Sequence, residues 1–163
     1  MLDQLINLVE QHAGSAIVNN PAIPNQFNQA AIQDVAQQIF NGLQNQATSG
    51  NMQQLTSLFQ NGTTNIGSNP IVSQLISSVA GSVSSKFNVS PQAAQNMASQ
   101  LLPSVMNQLV SRTNNPNDTS FDLSNMMQSF TGNSNVDVAG MLSQMTGGQS
   151  AGGIGALLGK LFG

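Results

Sequence analysis

The sequence has no cysteine, no tryptophan and no tyrosine, and charged residues make up only 6% of it. Each absence removes a class of protein. Without cysteine there is no disulfide scaffold, no zinc ribbon and no thiol nucleophile. Lys86, Arg112 and Lys160 are the only strong cations, against six carboxylates and a net charge of −3. Nucleic-acid binding driven by counterion release needs many more cations than that. Long apolar runs are missing too, and no stretch approaches the 18 or so residues needed to cross a bilayer. The opening Met1-Leu2-Asp3-Gln4-Leu5-Ile6-Asn7-Leu8-Val9-Glu10 is acidic and interrupted by polar residues, unlike a secretory signal. A cytoplasmic protein without membrane contact is expected.

What replaces charge is amide. Asn and Gln account for 40 of the 163 residues, and Ser for a further 20. Apolar residues recur with helical period almost throughout. Leu2, Leu5, Ile6, Val9, Ala13, Ala16 and Ile17 form a first stripe, which Asn19, Asn20, Pro21 and Pro24 interrupt. A second helix is expected over about 25–46, with Ile32, Val35, Ala36, Ile39, Phe40 and Leu43 inward. Met52, Leu55, Leu58 and Phe59 mark a short third helix, closed by the Asn61-Gly62 turn.

The fourth stripe, Ile71, Val72, Leu75, Ile76, Val79, Ala80 and Val83, is two residues wide and does not alternate as a strand would. Ser90-Pro91 then predicts a helix start, with Ser as N-cap and Pro at the first position. Ala94, Met97, Ala98, Leu101 and Leu102 follow inward, and Pro103 is expected to kink this helix or open another. Val105, Met106, Leu109 and Val110 continue the stripe. The fold class expected is all-α: a compact multi-helical domain over 1–112, then a linker and a Met- and Gly-rich tail over 113–163.

The tail repeats itself. Phe121-Asp122-Leu123-Ser124-Asn125-Met126-Met127-Gln128-Ser129-Phe130-Thr131-Gly132 aligns with Val136-Asp137-Val138-Ala139-Gly140-Met141-Leu142-Ser143-Gln144-Met145-Thr146-Gly147. A degenerate third copy carries Leu157, Leu158, Leu161 and Gly163. Each copy reads as a short helix with an acidic start and a glycine stop, too short to stand alone in water. Such helices must dock on something. Met126, Met127, Phe130, Met141, Leu142, Met145, Leu157, Leu158, Leu161 and Phe162 are the candidate interaction surface, since methionine adapts to irregular apolar partners. The alternative reading of these methionines is that they complete the core. Small residues at Ala151, Gly155, Gly159 and Gly163 would permit close backbone approach along another side.

Catalytic patterns fail one by one. His12 has no partner ligand at a zinc-site spacing, so no metal site is expected. Asp3, Glu10, Asp34, Asp118, Asp122 and Asp137 are scattered, and no Gly-x-Ser-x-Gly elbow occurs. Gly159-Lys160 lacks both the hydroxyl that should follow it and the glycine that should precede it in a phosphate loop. No cofactor and no small-molecule ligand is expected, and no enzyme. The segment Val83-Ser84-Ser85-Lys86-Phe87-Asn88-Val89-Ser90-Pro91 has helix-turn-helix offsets, with Asn88 where glycine is usual. Gln92, Gln95, Asn96 and Ser99 would face DNA, and amides can read adenine. The reading preferred is a structural or protein-interaction protein that self-associates through its tail; the alternative is a helix-turn-helix DNA binder.

At Phe87-Asn88-Val89-Ser90-Pro91-Gln92-Ala93-Ala94 and Leu101-Leu102-Pro103-Ser104-Val105-Met106-Asn107-Gln108-Leu109 the chain resembles the bacterial YidB-like proteins. Leu2-Asp3-Gln4-Leu5 and Leu157-Leu158-Gly159-Lys160-Leu161-Phe162 are similar to that group's ends. The resemblance is firm over 71–114. It implies a multi-helical, homeodomain-like fold in a bacterial cytoplasmic protein, and it implies no catalytic residues.

Overall fold

The computed structural model describes residues 1–61 and 64–132. Six α-helices build it: α1 Leu2–Ala13, α2 Asn28–Thr48, α3 Met52–Gln60, α4 Pro70–Phe87, α5 Pro91–Thr113 and α6 Leu123–Thr131. No strand occurs among the described residues, so the chain has the all-α fold its periodicity predicts. The central element is α2, which packs on α1, α3, α4 and α6, while α5 packs on α4, α1 and α3.

Side-chain caps set the starts of α4, α5 and α6. Asn69 caps α4, its Oδ1 accepting from the Ile71 amide at 2.9 Å, with Pro70 in the first turn. Ser90 caps α5 through the Ala93 amide at 3.3 Å, again with proline behind it. Between these helices Asn88 takes φ 55° and ψ 35°, the left-handed turn conformation expected of it. Asn tolerates that region because its short polar side chain can bond locally. Val83, Val89, Ala94 and Met97 are buried around the hinge.

Two local features depart from the expected pattern. The first stripe does not continue as an α-helix: Gly14–Val18 forms a π-helical turn. One extra residue per turn rotates the chain so that Ala16 and Ile17 still point inward. Asn20 closes the segment, its Nδ2 donating to the Ala16 carbonyl at 2.9 Å and its Oδ1 accepting from the Ala22 amide. Pro103, for its part, opens no new helix, and α5 runs through it for 23 residues. A proline here strands the carbonyl one turn back, which belongs to Ser99. Ser99 is exposed, so water can satisfy that carbonyl.

The boundary expected at 112 is corrected by the packing. Phe121, Met126, Met127 and Phe130 are each at most 1% exposed and belong to the same core as Leu8, Val35 and Leu102. The helical body therefore runs through α6. The stretch read as a linker is a short connection that returns the chain to α2.

Candidate functional site

The α6 seat illustrates how a nine-residue helix is held. Asp122 is its N-cap, with Oδ1 accepting from the Ser124 amide at 2.9 Å and the Asn125 amide at 3.2 Å. Gly132 ends it at φ 65°, a conformation that costs glycine nothing. Between those caps Met126, Met127 and Phe130 form the buried face. The Phe130 ring lies 5.4 Å from that of Phe40 on α2, tilted by 59°. The Thr113 hydroxyl donates to the Met126 sulfur at 3.3 Å, and Arg112 stacks over the Phe121 ring at 5.6 Å.

This corrects the expected interaction surface for its first three members. Met126, Met127 and Phe130 have found their apolar counter-surface on the chain's own α2 and are not available to a partner. Phe40, read as inward, is half-buried because its ring completes this seat at the edge of the body. Met141, Leu142, Met145, Leu157, Leu158, Leu161 and Phe162 lie outside the described residues.

The hinge presents the face that spacing predicts. Gln92, Gln95, Asn96 and Ser99 are all exposed along the first half of α5. The two cations among the described residues, however, are engaged elsewhere. Lys86 pairs with Asp34, and Arg112 sits over Phe121 and within 3.5 Å of the Gln11 side-chain oxygen. Neither points a free positive charge along the α5 face.

One polar constellation escapes the sequence reading. The Asp34 side chain on α2 is 5% exposed, yet it is ionisable and must be compensated. Its Oδ2 accepts from the Ser82 hydroxyl at 2.6 Å and its Oδ1 from the Lys86 ammonium, while Gln38 Nε2 donates to the Ser82 oxygen at 3.3 Å. Ser82 and Lys86 are four residues apart and share a face of α4. That spacing was legible; its pairing with Asp34, some 50 residues away, was not. The arrangement pins α2 to α4. It does not activate Ser82, because Lys86 neutralises the carboxylate that would have to serve as base.

A test follows from this geometry. Lys86→Met is expected to cost about 1–2 kcal/mol, by leaving a nearly buried carboxylate with only a hydroxyl donor. The figure is below that of a fully buried pair, because the Lys86 side chain is 55% exposed. Asp34→Leu combined with Lys86→Met should recover most of the loss. Urea midpoints of the two variants check this, and a double variant no better than the single one would refute the compensation argument.

The surface holds shallow clefts with uncharged or mixed polar walls. One of about 390 Å³ lies between α1 and the end of α5, walled by Gln4, Asn7, Glu10, Gln11, Arg112 and Phe121. Another, of about 540 Å³, lies beside α3, with Ser57, Asn61, Asn65 and Asn69 in its wall. A third, of about 280 Å³, joins Asn19 and Asn20 to Asn96 and Gln100 of α5. His12 stands half-buried in the last turn of α1. Among the described residues no three of His, Asp and Glu gather closely enough to hold a metal. No described helix is long and apolar enough to cross a membrane. No protein-family model matches this chain, and no curated protein and no solved structure shows significant similarity to it.

Proposed function

We propose that this chain is a non-enzymatic protein-interaction protein that self-associates through the sequence following Gly132. The observation that carries the reading is the division of labour within the first repeat. Phe121 is buried, Asp122 caps, Met126, Met127 and Phe130 fill the seat, and Gly132 turns left-handed. Each of those positions has its counterpart in the second copy, as Val136, Asp137, Met141, Leu142, Met145 and Gly147. A second copy written in the same terms calls for a second apolar surface, and the first repeat already fills the seat on α2. The second copies of two molecules can supply that surface to each other. The resemblance to the YidB-like proteins supports this reading, since it implies a helical body without catalytic residues.

Light scattering tests the proposal on the full chain and on a chain ending at Gly132. The full chain is expected to be an oligomer, and the shortened one a folded monomer with an undiminished thermal transition. Two monomers, or two oligomers of the same order, would refute tail-driven association. DNA binding stands second: the left-handed hinge and the exposed amides of α5 favour it, and the engaged state of Lys86 and Arg112 counts against it.

A further inference from the structure

Four polar side chains of α1 line the cleft of about 390 Å³ that lies between this helix and the end of α5. Gln4, Asn7 and Gln11 follow i, i+3, i+7 and form a stripe on one side of α1, with Glu10 at its edge. Arg112, in the last turn of α5, and Ser120, in the turn Thr119–Phe121, complete the wall. Glu10 and Arg112 belong to helices far apart in the chain, so no sequence motif joins them. Among the described residues, the side chains of Gln4, Asn7 and Glu10 make no hydrogen bond or ion pair. Their donors and acceptors all remain open to the cleft.

Arg112 is held in place without a carboxylate. Its guanidinium lies 5.6 Å from the centre of the buried Phe121 ring, and its Nη2 donates to Gln11 Oε1 at 3.5 Å. Those contacts occupy one face of the planar group and one arm of its fork, which leaves the remaining N–H donors for another acceptor. Glu10 stands in the same wall, yet the two opposite charges do not pair. A cation and an anion kept apart in one small cleft favour a ligand that carries both signs. A lone carboxylate meets repulsion from Glu10, and a lone ammonium meets it from Arg112. The volume lies at the small end of the range of ligand sites, about 300–1,000 Å³.

We propose that this cleft binds a free α-amino acid with an uncharged polar side chain. The Arg112 fork donates to the ligand's carboxylate, and Glu10 accepts from its ammonium. Gln4 and Asn7 each offer a donor and an acceptor, and so match a neutral polar side chain. Phe121 is 1% exposed and serves as the platform that fixes Arg112 rather than as a contact. The site stands apart from the self-association proposed above, since all of its residues precede Gly132.

With no Trp or Tyr to report binding, the experiment titrates the nitrogen-15-labelled full chain with L-glutamine and follows its amides by NMR. Saturable shifts confined to the surroundings of Gln11, Arg112 and Phe121 are expected, with a Kd of about 1 mM or below. Glutamine amide lacks the carboxylate and N-acetylglutamine lacks the ammonium, and each should bind at least about tenfold more weakly. Leucine, which leaves the amides of the wall unpaired, should also bind more weakly than glutamine. Glu10→Gln changes an exposed side chain that ties nothing in the fold, and should weaken glutamine about tenfold while narrowing its lead over N-acetylglutamine. Arg112→Lys keeps the charge and the apolar stem but loses the fork, and should weaken glutamine about tenfold with the thermal transition preserved. No saturable shift by about 10 mM glutamine, or shifts centred elsewhere, would overturn the proposal. So would leucine or either blocked derivative binding as tightly as glutamine, or a Glu10→Gln protein that binds and discriminates like the original.

Discussion

A chain ending at Arg112 is expected to lose its cooperative unfolding transition altogether. The cut removes Phe121, Met126, Met127 and Phe130, all essentially inaccessible to solvent. Burying each such side chain is worth about 1.5–3 kcal/mol, so together they approach the whole stability of an ordinary domain. The cut also bares the α2 surface beneath α6 and takes away Asn114, the tie between the ends of α3 and α5. Calorimetry and near-ultraviolet circular dichroism would report the result. Phe130→Ala samples the same seat more gently. It should cost about 3–5 kcal/mol through lost contacts and the cavity beside Phe40. A chain ending at Arg112 that melts like the full protein would mean that α6 is an ornament on a self-sufficient bundle.

The second large effect is expected where Gly42 of α2 faces Leu75 of α4. A Cβ on Gly42 would lie 2.2 Å from the Leu75 Cδ2, far inside contact distance. Leu75 is 2% exposed, so its side chain has no solvent-facing alternative. Replacing a mid-helix glycine by alanine normally gains about 1 kcal/mol. Overpacking costs about 1–3 kcal/mol, and the balance for Gly42→Ala should be a net loss near 1 kcal/mol. Gly42→Leu brings three further carbons into the same seam and should lose about 3 kcal/mol. Adding Leu75→Ala to Gly42→Leu ought to return part of that loss, since volume has only changed sides. Chemical denaturation decides it: a Gly42→Ala protein more stable by the full propensity gain would show that the seam has slack.

The helices were legible because each buried stripe is written in its own segment. Ile71, Val72, Leu75, Ile76, Val79, Ala80 and Val83 declare a face, and all seven are buried. The hinge was legible for the same reason, since Asn88, Ser90 and Pro91 act on their immediate neighbours. What periodicity does not carry is the identity of the surface opposite. Met126, Met127 and Phe130 showed that they needed an apolar counterpart without saying that Phe40 and α2 supply it. Asp34 looked like one scattered carboxylate among six until the fold brought Ser82 and Lys86 to it. The π-helical turn was hidden by its own function. It keeps Ala16 and Ile17 on the buried side, so the stripe reads as though nothing had changed. Pro103 left two outcomes open, a kink or a new helix start, and the uninterrupted run of α5 excludes only the second.

The amides of the surface already bond to one another. Gln46 donates to the Gln74 oxygen at 2.6 Å and accepts from Asn51 at 2.9 Å, while Gln37 donates to Asn41. A carboxamide offers donor and acceptor together, so a face built from carboxamides is its own chemical counterpart. Two copies of this molecule can approach with little of the charge repulsion that keeps most proteins apart, and what repulsion a net charge of −3 supplies fades within about 8 Å at physiological salt. Adding salt should therefore barely change how readily the copies meet, because the barrier between them is the water each amide has to release.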